Sequence, residues 1–392
     1  MLNTPFSPWP SFTAEEAEAV ADVLRSNRVN YWTGDRGREF ERRFAEWAGV
    51  RHAVALANGT VALDVALRAL GIGPGDEVIT TSRTFLASAS CIVTAGAVPV
   101  FADVDPDSQN ITAETIGKVL TPKTRAIICV HLAGLPCDMD PIMALAEQHG
   151  LKVIEDCAQA HGALYQGRSG GSIGHVGAWS FCQDKIMTTG GEGGMVTTDD
   201  PDLWSFMWSY KDHGKSWEGV YQRAHPPGPR LVHDTFGTNW RMIEMQAVLG
   251  LIQLGRMAGW TARRTKIASA LMAVCRRHDR LMRTPAVPNH SVHAWYRFYS
   301  FVRAEALADG WSRDRIIEEI TTRGVPCLHG SASVDYVERA FDDTGWRPLQ
   351  RLPNARQLGE TSIAFLVHPT LTDAEVSRTC EVLDEVLSEA VN

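Results

Sequence analysis

One glycine-rich segment carries most of the information about the fold, and it runs Ser180-Phe181-Cys182-Gln183-Asp184-Lys185-Ile186-Met187-Thr188-Thr189-Gly190-Gly191-Glu192-Gly193-Gly194. An isolated lysine is almost always a solvated surface charge. Here the glycines that follow Lys185 give the backbone room for a tight reversal, which would hold the amine inward. We therefore predict a buried Lys185, and we expect burial to lower the pKa of its ammonium group.

A second informative run lies upstream, where the apolar strand Val153-Ile154-Glu155-Asp156 ends on carboxylates. Successive strand residues point to opposite faces, so Glu155 and Asp156 are expected on different sides of the sheet. A strand-end aspartate usually caps a helix. A buried amine beside such a carboxylate is instead the pair that a pyridoxal phosphate enzyme requires. The amine forms a Schiff base with the cofactor aldehyde, and the carboxylate keeps the pyridine nitrogen protonated. The pair Lys185 and Asp156 favours this second interpretation.

Apolar runs alternate with helical patterns between residues 50 and 200. The predicted strands are Ala53–Leu56, Glu77–Thr80, Val98–Phe101, Ala126–Val130, Leu151–Ile154, Gly177–Phe181 and Gly194–Thr198. Strands that are apolar throughout and separated by helices indicate a mostly parallel sheet covered on both faces. Ligands collect at the carboxyl ends of such strands, where Asp156 falls. The sequence therefore predicts an α/β fold with its site at that edge.

The remainder of the chain predicts a smaller module. A helical pattern covers Trp240 to about Arg277, a strand covers 295–302, and helices cover 312–323 and 372–387. Because a single core stops growing near roughly 250–300 residues, a chain of 392 residues is expected to have two domains. We place them at residues 1–250 (large) and 251–392 (small, α+β). The Pro-rich segment 213–233 is predicted to be a long loop.

Several other residues follow predicted strand ends, and three of these positions have two interpretations. Asn58-Gly59-Thr60 is either a phosphate site at a helix start or a plain N-cap. Phe85 either stacks on a cofactor ring or lies in the core. Gln159 is placed to reach the phenolic oxygen of the cofactor, and Ser180 to share a pocket with Lys185. His161 is either a substrate contact or a core histidine.

Composition narrows the class of partner. The net charge of −8 and the pI near 5.9 argue against nucleic acid or an anionic membrane as the main partner.

The uncharged stretch 84–102 is long enough to span a bilayer, but Gly96 and Pro99 interrupt it, so we predict a buried helix followed by a strand. Eight scattered cysteines without a CxxC pair predict reduced thiols. The reduced thiols, together with an N-terminal sequence that does not resemble a signal peptide, predict a cytoplasmic protein. His290 and His293 lack nearby carboxylates, so no metal site is predicted.

Taken together, the ordered motifs resemble the nucleotide-sugar aminotransferase family (DegT/StrS-like), from about Ser11 to Leu387. The matching segments are Asn58-Gly59-Thr60, Thr84-Phe85, Pro99 to Asp105, Glu155 to Ala160, Ser180-Phe181 with Lys185 and Gly191 to Gly194, Gly237 to Met242, His368-Pro369 and Leu371-Thr372. Segment 213–233 departs from the family, which often has a shorter link there. Relatives that act as sugar 3-dehydratases carry histidine in place of the lysine, so Lys185 favours transamination.

The resemblance implies a fold type I PLP-dependent transferase, with a large domain around a mostly parallel seven-stranded sheet and a smaller α+β C-terminal domain. It implies a homodimer with shared active sites and pyridoxal 5'-phosphate as cofactor, with pyridoxamine phosphate between two half-reactions. In the roles it implies, Lys185 is the Schiff-base lysine, Asp156 the pyridinium partner, Phe85 the stacking ring and Gln159 the partner of the phenolic oxygen. Gly59, Thr60 and Ser180 hold the phosphate, with Asn239 from the other subunit. Substrate contacts are predicted at Tyr31, His161 and His329.

The expected reaction moves an amino group from glutamate or glutamine to a keto sugar, nucleotide-linked, to make an amino sugar for a cell-surface polysaccharide or secondary metabolite. A carbocycle (inosose) aminotransferase or an aminohydroxybenzoate-type synthase is the alternative with the same fold and cofactor. A catalytically silent regulatory or scaffolding protein is the alternative from another class.

Overall fold

The computed structural model describes residues 5–331 and 335–391. The helices are α1 Ala14–Arg25, α2 Arg36–Ala48, α3 Gly59–Ala69, α4 Ala87–Thr94, α5 Ala113–Gly117, α6 Met139–His149, α7 Pro201–Tyr210, α8 Trp217–Tyr221, α9 Glu244–Arg277, α10 Arg313–Thr322, α11 Pro353–Thr361 and α12 Asp373–Ala390. The strands are β1 His52–Leu56, β2 Glu77–Thr81, β3 Val98–Ala102, β4 Thr124–Val130, β5 Lys152–Asp156, β6 Leu164–Tyr165, β7 Arg168–Ser169, β8 Val176–Ser180, β9 Gly194–Thr198, β10 Met282–Arg283, β11 Ser291–Val292, β12 Arg297–Val302, β13 Cys327–Leu328 and β14 Ser362–Leu366.

A seven-stranded sheet forms the centre of the larger part, in the order β1-β9-β8-β5-β4-β2-β3. Strands β8, β5, β4, β2 and β3 pair in parallel, whereas β9 is antiparallel to both of its neighbours. The prediction of a mostly parallel seven-stranded sheet is confirmed. Because all strands except β9 run the same way, their carboxyl ends meet at one edge.

Both faces of this sheet are covered, as the apolar strands predicted. On β5, Ile154 packs into the cluster that contains α3, whereas Val153 packs into the cluster that contains α6. On β4, Ile128 and Ile127 divide between the same two clusters. Side chains of one strand thus alternate between two buried layers, which is the pattern of a sheet enclosed by helices.

The C-terminal part is an α+β module, as predicted. Its antiparallel sheet has the order β10-β12-β14-β13 and packs on α10, α12 and the second half of α9 through one apolar cluster. Helix α12 begins with a capping box, in which Thr372 and Glu375 satisfy each other's backbone N–H groups. Helix α9 runs without interruption across residues 250 and 251, so it connects the two parts. The division into residues 1–250 and 251–392 stays a prediction.

Segment 213–233 is not entirely a loop, and the prediction is corrected there. It contains the short helix α8, whose N-cap Ser216 accepts a hydrogen bond from the Gly219 N–H at 2.9 Å. The ring of Trp217 lies 5.2 Å from that of Trp208 on α7. The proline cluster suggested an open loop, but tertiary aromatic packing stabilises one helical turn.

The uncharged stretch 84–102 forms α4 followed by β3, which confirms the predicted helix and strand. Among the described residues, no helix combines the length and apolar character that a membrane span needs. All eight cysteines are free thiols, and six of them are buried.

Candidate active site

Five chain segments bring predicted site residues to the carboxyl edge of the large sheet. Asp156 ends β5, and Ser180 ends β8. Phe85 follows β2, Gly59 begins α3 directly after β1, and Lys185 lies in the loop between β8 and β9. This convergence follows from the parallel topology, since residues distant in sequence share an edge when their strands run the same way.

Asp156 is 6% exposed and its carboxylate is fixed by two hydrogen bonds. Ser88 Oγ donates to Oδ2 at 2.8 Å, and the Ala158 backbone N–H donates to Oδ1 at 3.1 Å. Ser88 is in turn 2.9 Å from the Thr84 hydroxyl. The carboxylate is therefore held in one orientation beside the start of α4.

Glu155 faces the opposite side of the sheet, as strand alternation predicted. It is fully buried and accepts hydrogen bonds from His131 Nε2 and from the backbone N–H groups of Gly171, Ile173 and Gly174. Burial alone would raise the pKa of Glu155, but the hydrogen bonds from His131 and from the backbone donors hold it below its ordinary value.

The buried trio His131, Glu155 and Cys157 has the composition of a metal site. His131 Nδ1, however, already accepts the Cys137 N–H at 3.1 Å, so its Nε2–H faces Glu155 as a donor. With Glu155 also engaged by three backbone donors, these groups fit a structural network rather than a cation.

Lys185 lies inside the protein, with a side chain that is 15% exposed. Its Nζ is 3.7 Å from Asp184 Oδ1 and 5.1 Å from the centre of the Tyr296 ring. The predicted tight reversal is present, since Gly190 and Gly191 have φ of 89° and 128°.

The expected direction of the Lys185 pKa was wrong. Burial lowers this pKa, but Tyr296, Asp184, Cys182 and Asp156 together outweigh burial and raise it above its ordinary value. The charge of Asp156 contributes to this rise, and Asp156 ends β5, which pairs in parallel with β8, the strand that precedes the Lys185 loop. The sequence identified Lys185 and Asp156, but not the positions of Asp184 and Tyr296 beside the amine.

The phosphate candidates lie where α3 meets β8. The Asn58 side chain caps α3 by accepting the Val61 N–H at 3.0 Å. The N–H groups of Gly59 and Thr60 come before it at the helix start, where the helix itself provides no acceptors. A Cβ added at Gly59 would lie 2.5 Å from Ser180 Cβ, so only glycine fits this contact. Thr60 is exposed beside it. The capping and the anion-binding interpretations of this motif are therefore compatible.

The other predicted cofactor contacts differ in exposure. Phe85 is 72% exposed, so it is not a core phenylalanine. Gln159 is buried, and its Oε1 accepts the Ala133 N–H at 2.7 Å. Asn239 is exposed and forms a backbone bridge with Asp212. No contact between described residues joins Asn239 to Lys185 within this chain.

The three predicted substrate contacts have unlike surroundings. Tyr31 is 1% exposed, and its hydroxyl donates to Glu41 and accepts from Trp208, so its surroundings indicate a structural role. His329 is exposed and lies 3.3 Å from Asp314. Their role as substrate contacts stays a prediction.

His161 is fully buried between the rings of Trp179 and Phe181, which matches the core interpretation. It is not a satisfied core histidine, since neither ring nitrogen has a hydrogen-bond partner among the described residues. Burial, with the charges of Lys185 and Arg264, lowers the pKa of His161 to about 3.

The sequence did not point to Ser88, Tyr296 or Arg297. Tyr296 donates to Asp184 Oδ2 at 2.5 Å, and Arg297 Nη2 is 3.8 Å from the same oxygen. These residues reach the site from α4 and from the C-terminal module. The available sequence signal was the pair Tyr296-Arg297, an aromatic and a basic residue next to each other at the start of β12.

The topology and the residues at this edge define an α/β enzyme of fold type I. The chain belongs to the DegT/DnrJ/EryC1/StrS aminotransferase family, whose match covers residues 10–384, and it is an aminotransferase. This confirms the predicted family, fold and enzyme class, against the alternative of a silent scaffolding protein.

Individual relatives resemble the chain over nearly its full length. GDP-perosamine synthase of Caulobacter vibrioides is 38% identical over 385 residues, which is 96% of this chain and 97% of that protein. The crystal structure of an aminotransferase from Psychrobacter cryohalolentis has a TM-score of 0.97 and 61% identity, covering 98% of this chain and 99% of the other. DesV of S. venezuelae, solved in complex with a ketimine intermediate, has a TM-score of 0.83 and 32% identity, with 95% and 94% covered.

Proposed function

We propose that this enzyme transfers an amino group from glutamate or glutamine to the ketone of a nucleotide-linked keto sugar and releases an amino sugar. The observation that carries the proposal is the placement of Asp156 at the end of β5 and of Lys185 in the loop after the paired strand β8, both at the carboxyl edge of the sheet. The similarity to GDP-perosamine synthase supports a nucleotide-sugar acceptor. The free thiols support a location in the cytoplasm.

The residues at this edge fit pyridoxal phosphate. Gly59 leaves open the space against Ser180 that a Cβ would fill, next to the N-terminus of α3, which favours a phosphate. Asp156 offers a fixed carboxylate for the pyridine nitrogen, Phe85 an exposed ring for stacking, and Gln159 an amide for the phenolic oxygen. When bound, the cofactor supplies an aldehyde for amine exchange and a ring that accepts electrons from the reacting carbon.

The chain's own residues then have distinct tasks. Lys185 Nζ holds and moves the proton at the carbon that loses or gains the amino group. The negative charge of Asp156 keeps the ring nitrogen protonated. Ser88 and the Ala158 N–H hold the carboxylate oxygens in the orientation that this requires. Tyr296 orients Asp184 beside the amine. These contacts fix the acid and base groups before the substrate arrives.

A homodimer with shared active sites belongs to the same proposal. Leu231 and Phe236 are 80% and 98% exposed in the single chain, which is unusual for large apolar side chains. They precede Asn239, which is also exposed. We expect a partner subunit to cover this segment and to receive Asn239 at its phosphate site.

The test is an incubation of the enzyme and pyridoxal phosphate with glutamate or, in a parallel series, glutamine, and with nucleotide-linked keto sugars or, separately, inososes. Mass spectrometry should detect an amino sugar nucleotide together with the 2-oxo acid of the donor. Amination of the inososes alone would replace the sugar proposal by the carbocyclic one, and amination of neither class would reject both.

Substitution of the lysine is the companion prediction. Lys185→Ala should lower turnover by about 10²- to 10⁴-fold, because it removes the group that transfers the proton. Lys152→Ala, at the opposite end of β5, is the control and should keep wild-type turnover. A Lys185→Ala enzyme that transaminates at the wild-type rate would contradict the assignment.

A further inference from the structure

Arg297 carries a guanidinium group that is only partly used by the protein. Its Nη1 is buried and has no hydrogen-bond partner among the described residues. Its Nη2 lies 3.8 Å from Asp184 Oδ2, which is beyond hydrogen-bond distance. A buried donor without a partner costs free energy, so such a group at an active site indicates a missing ligand.

The position of Arg297 connects it to the reacting amine. Its guanidinium carbon is 5.1 Å from the centre of the Tyr296 ring, and Lys185 Nζ is 5.1 Å from the same centre. The two cations thus adjoin one aromatic ring. The side chains of Lys185 and Arg297 are 15% and 21% exposed, so both retain access to solvent.

Positive charge dominates around this ring. Arg264 is fully buried nearby, with Nη1 bonded to the carbonyls of Trp295 and Val367 and with Nε unpartnered. The carboxylate that approaches both Lys185 and Arg297 is Asp184, which Tyr296 already engages. Asp156 is the other acid near the amine, and the proposed cofactor site uses it. The site therefore favours one additional anion.

Resting on the proposed function, we propose that Arg297 binds the α-carboxylate of the amino donor. An amino acid carries its carboxylate next to the amine that must reach the Lys185 side of the site. The guanidinium fork matches a carboxylate with two parallel hydrogen bonds. The keto sugar has no carboxylate adjacent to its reacting carbon, so Arg297 serves the donor half-reaction and not the acceptor half-reaction.

The experiment follows the two half-reactions separately by the absorbance of the bound cofactor. Arg297→Met should lower kcat/KM for glutamate roughly 10- to 100-fold, which corresponds to losing a charge-assisted contact. The pyridoxamine phosphate form of the same variant should react with the keto sugar within about twofold of wild type. Arg297→Lys keeps the positive charge but not the two parallel donors of the guanidinium. Its kcat/KM for glutamate should lie between the values of wild type and Arg297→Met. It replaces Arg297→Met in the experiment if Arg297→Met does not fold.

Arg283→Met is a matched control. Arg283 is 25% exposed and lies over the Phe301 ring on the same sheet, but its guanidinium is paired with Asp107 at 3.1 Å. Binding of glutarate, which has no amine, gives a second readout by calorimetry. It should weaken at least about tenfold in Arg297→Met and stay unchanged in Arg283→Met.

Wild-type rates with glutamate in Arg297→Met, or an equal fall in both half-reactions, would overturn the proposal. If the wild-type enzyme uses no amino acid donor at all, the proposed function fails instead, so the two failures are distinguishable.

Discussion

Asp156 shows how one side chain is prepared for its task by others. Its two oxygens accept from Ser88 and from the Ala158 N–H, and it is nearly inaccessible to solvent. A buried carboxylate needs such donors, because an unpaired buried charge is costly. The same bonds stop the side chain from rotating, so its orientation toward a ring nitrogen is set by the fold.

We predict that Asp156→Asn lowers turnover by about 10²-fold or more. The amide keeps the shape but cannot stabilise a protonated pyridine nitrogen, and each factor of ten corresponds to about 1.4 kcal/mol. Steady-state assays with saturating cofactor would measure this. Retention of more than about half of the activity would show that Asp156 does not perform the proposed task.

Ser88→Ala should have a smaller effect. It removes one of two hydrogen bonds to Asp156, which is worth about 0.5–1.5 kcal/mol, so turnover should fall roughly 2- to 10-fold. Ser90→Ala on the same helix is the control. An Asp156→Asn, Ser88→Ala double variant should be no worse than Asp156→Asn alone, since the serine acts through the carboxylate. Additive losses would contradict that coupling.

At the scale of elements, the contact of the α3 N-terminus with β8 defines the phosphate site. The close approach of Gly59 to Ser180 depends on the absence of a side chain at residue 59. Any Cβ there would separate the helix start from the strand end.

Gly59→Ala should therefore weaken pyridoxal phosphate binding by about tenfold or more while leaving the apoenzyme folded. The added Cβ would lie 2.5 Å from Ser180 Cβ, so the helix start must shift. Gly73→Ala, after the same helix, is the control, because its nearest neighbour would be the Ala95 carbonyl at 3.9 Å. Cofactor titration measures both, and equal affinities would rule out the proposed cradle.

The sequence predicted the parts of the site that are local. Lys185 with its glycines, Asp156 at a strand end, and Asn58-Gly59-Thr60 before a helix each carry their signal within a few residues. Ser88, Tyr296 and Arg297 do not, because they reach the site through contacts between distant parts of the chain. Helix α8 was missed for a similar reason, since Trp208 stabilises it from outside segment 213–233.

At the scale of the whole molecule, the α/β part and the α+β part share helix α9 and pack against each other through one apolar cluster. Tyr299 and Phe301 of the C-terminal sheet pack in the same apolar cluster as Ile127 and Val153 of the large sheet. The fold class was predictable because hydrophobic periodicity is repeated many times along the chain. The packing of one part on the other was not, since no sequence pattern reports it.

Buried histidines should make the protein less stable in mild acid. Burial lowers the pKa values of His161, His293 and His368 to about 3 each. Between pH 6.5 and about 3, the unfolded chain binds protons that the folded protein excludes, so the free energy of unfolding falls as the pH falls. One such histidine contributes up to about 1.4 kcal/mol per pH unit.

Urea unfolding of wild type and His161→Phe from pH 7 to pH 5 measures this effect. The variant should lose less stability over that range, because its residue 161 cannot bind a proton in either state. The other ionisable groups are common to both proteins, so the difference in slope reports His161. Parallel pH profiles for the two proteins would show that His161 is accessible to protons in the folded state.

The most direct measurement is borohydride reduction of the enzyme loaded with pyridoxal phosphate, followed by peptide mapping with mass spectrometry. Reduction fixes the cofactor to the lysine that holds it. We predict the phosphopyridoxyl mass on the peptide that contains Lys185, with no label in Lys185→Ala. A label on another lysine, or an unlabelled protein despite bound cofactor, would contradict it.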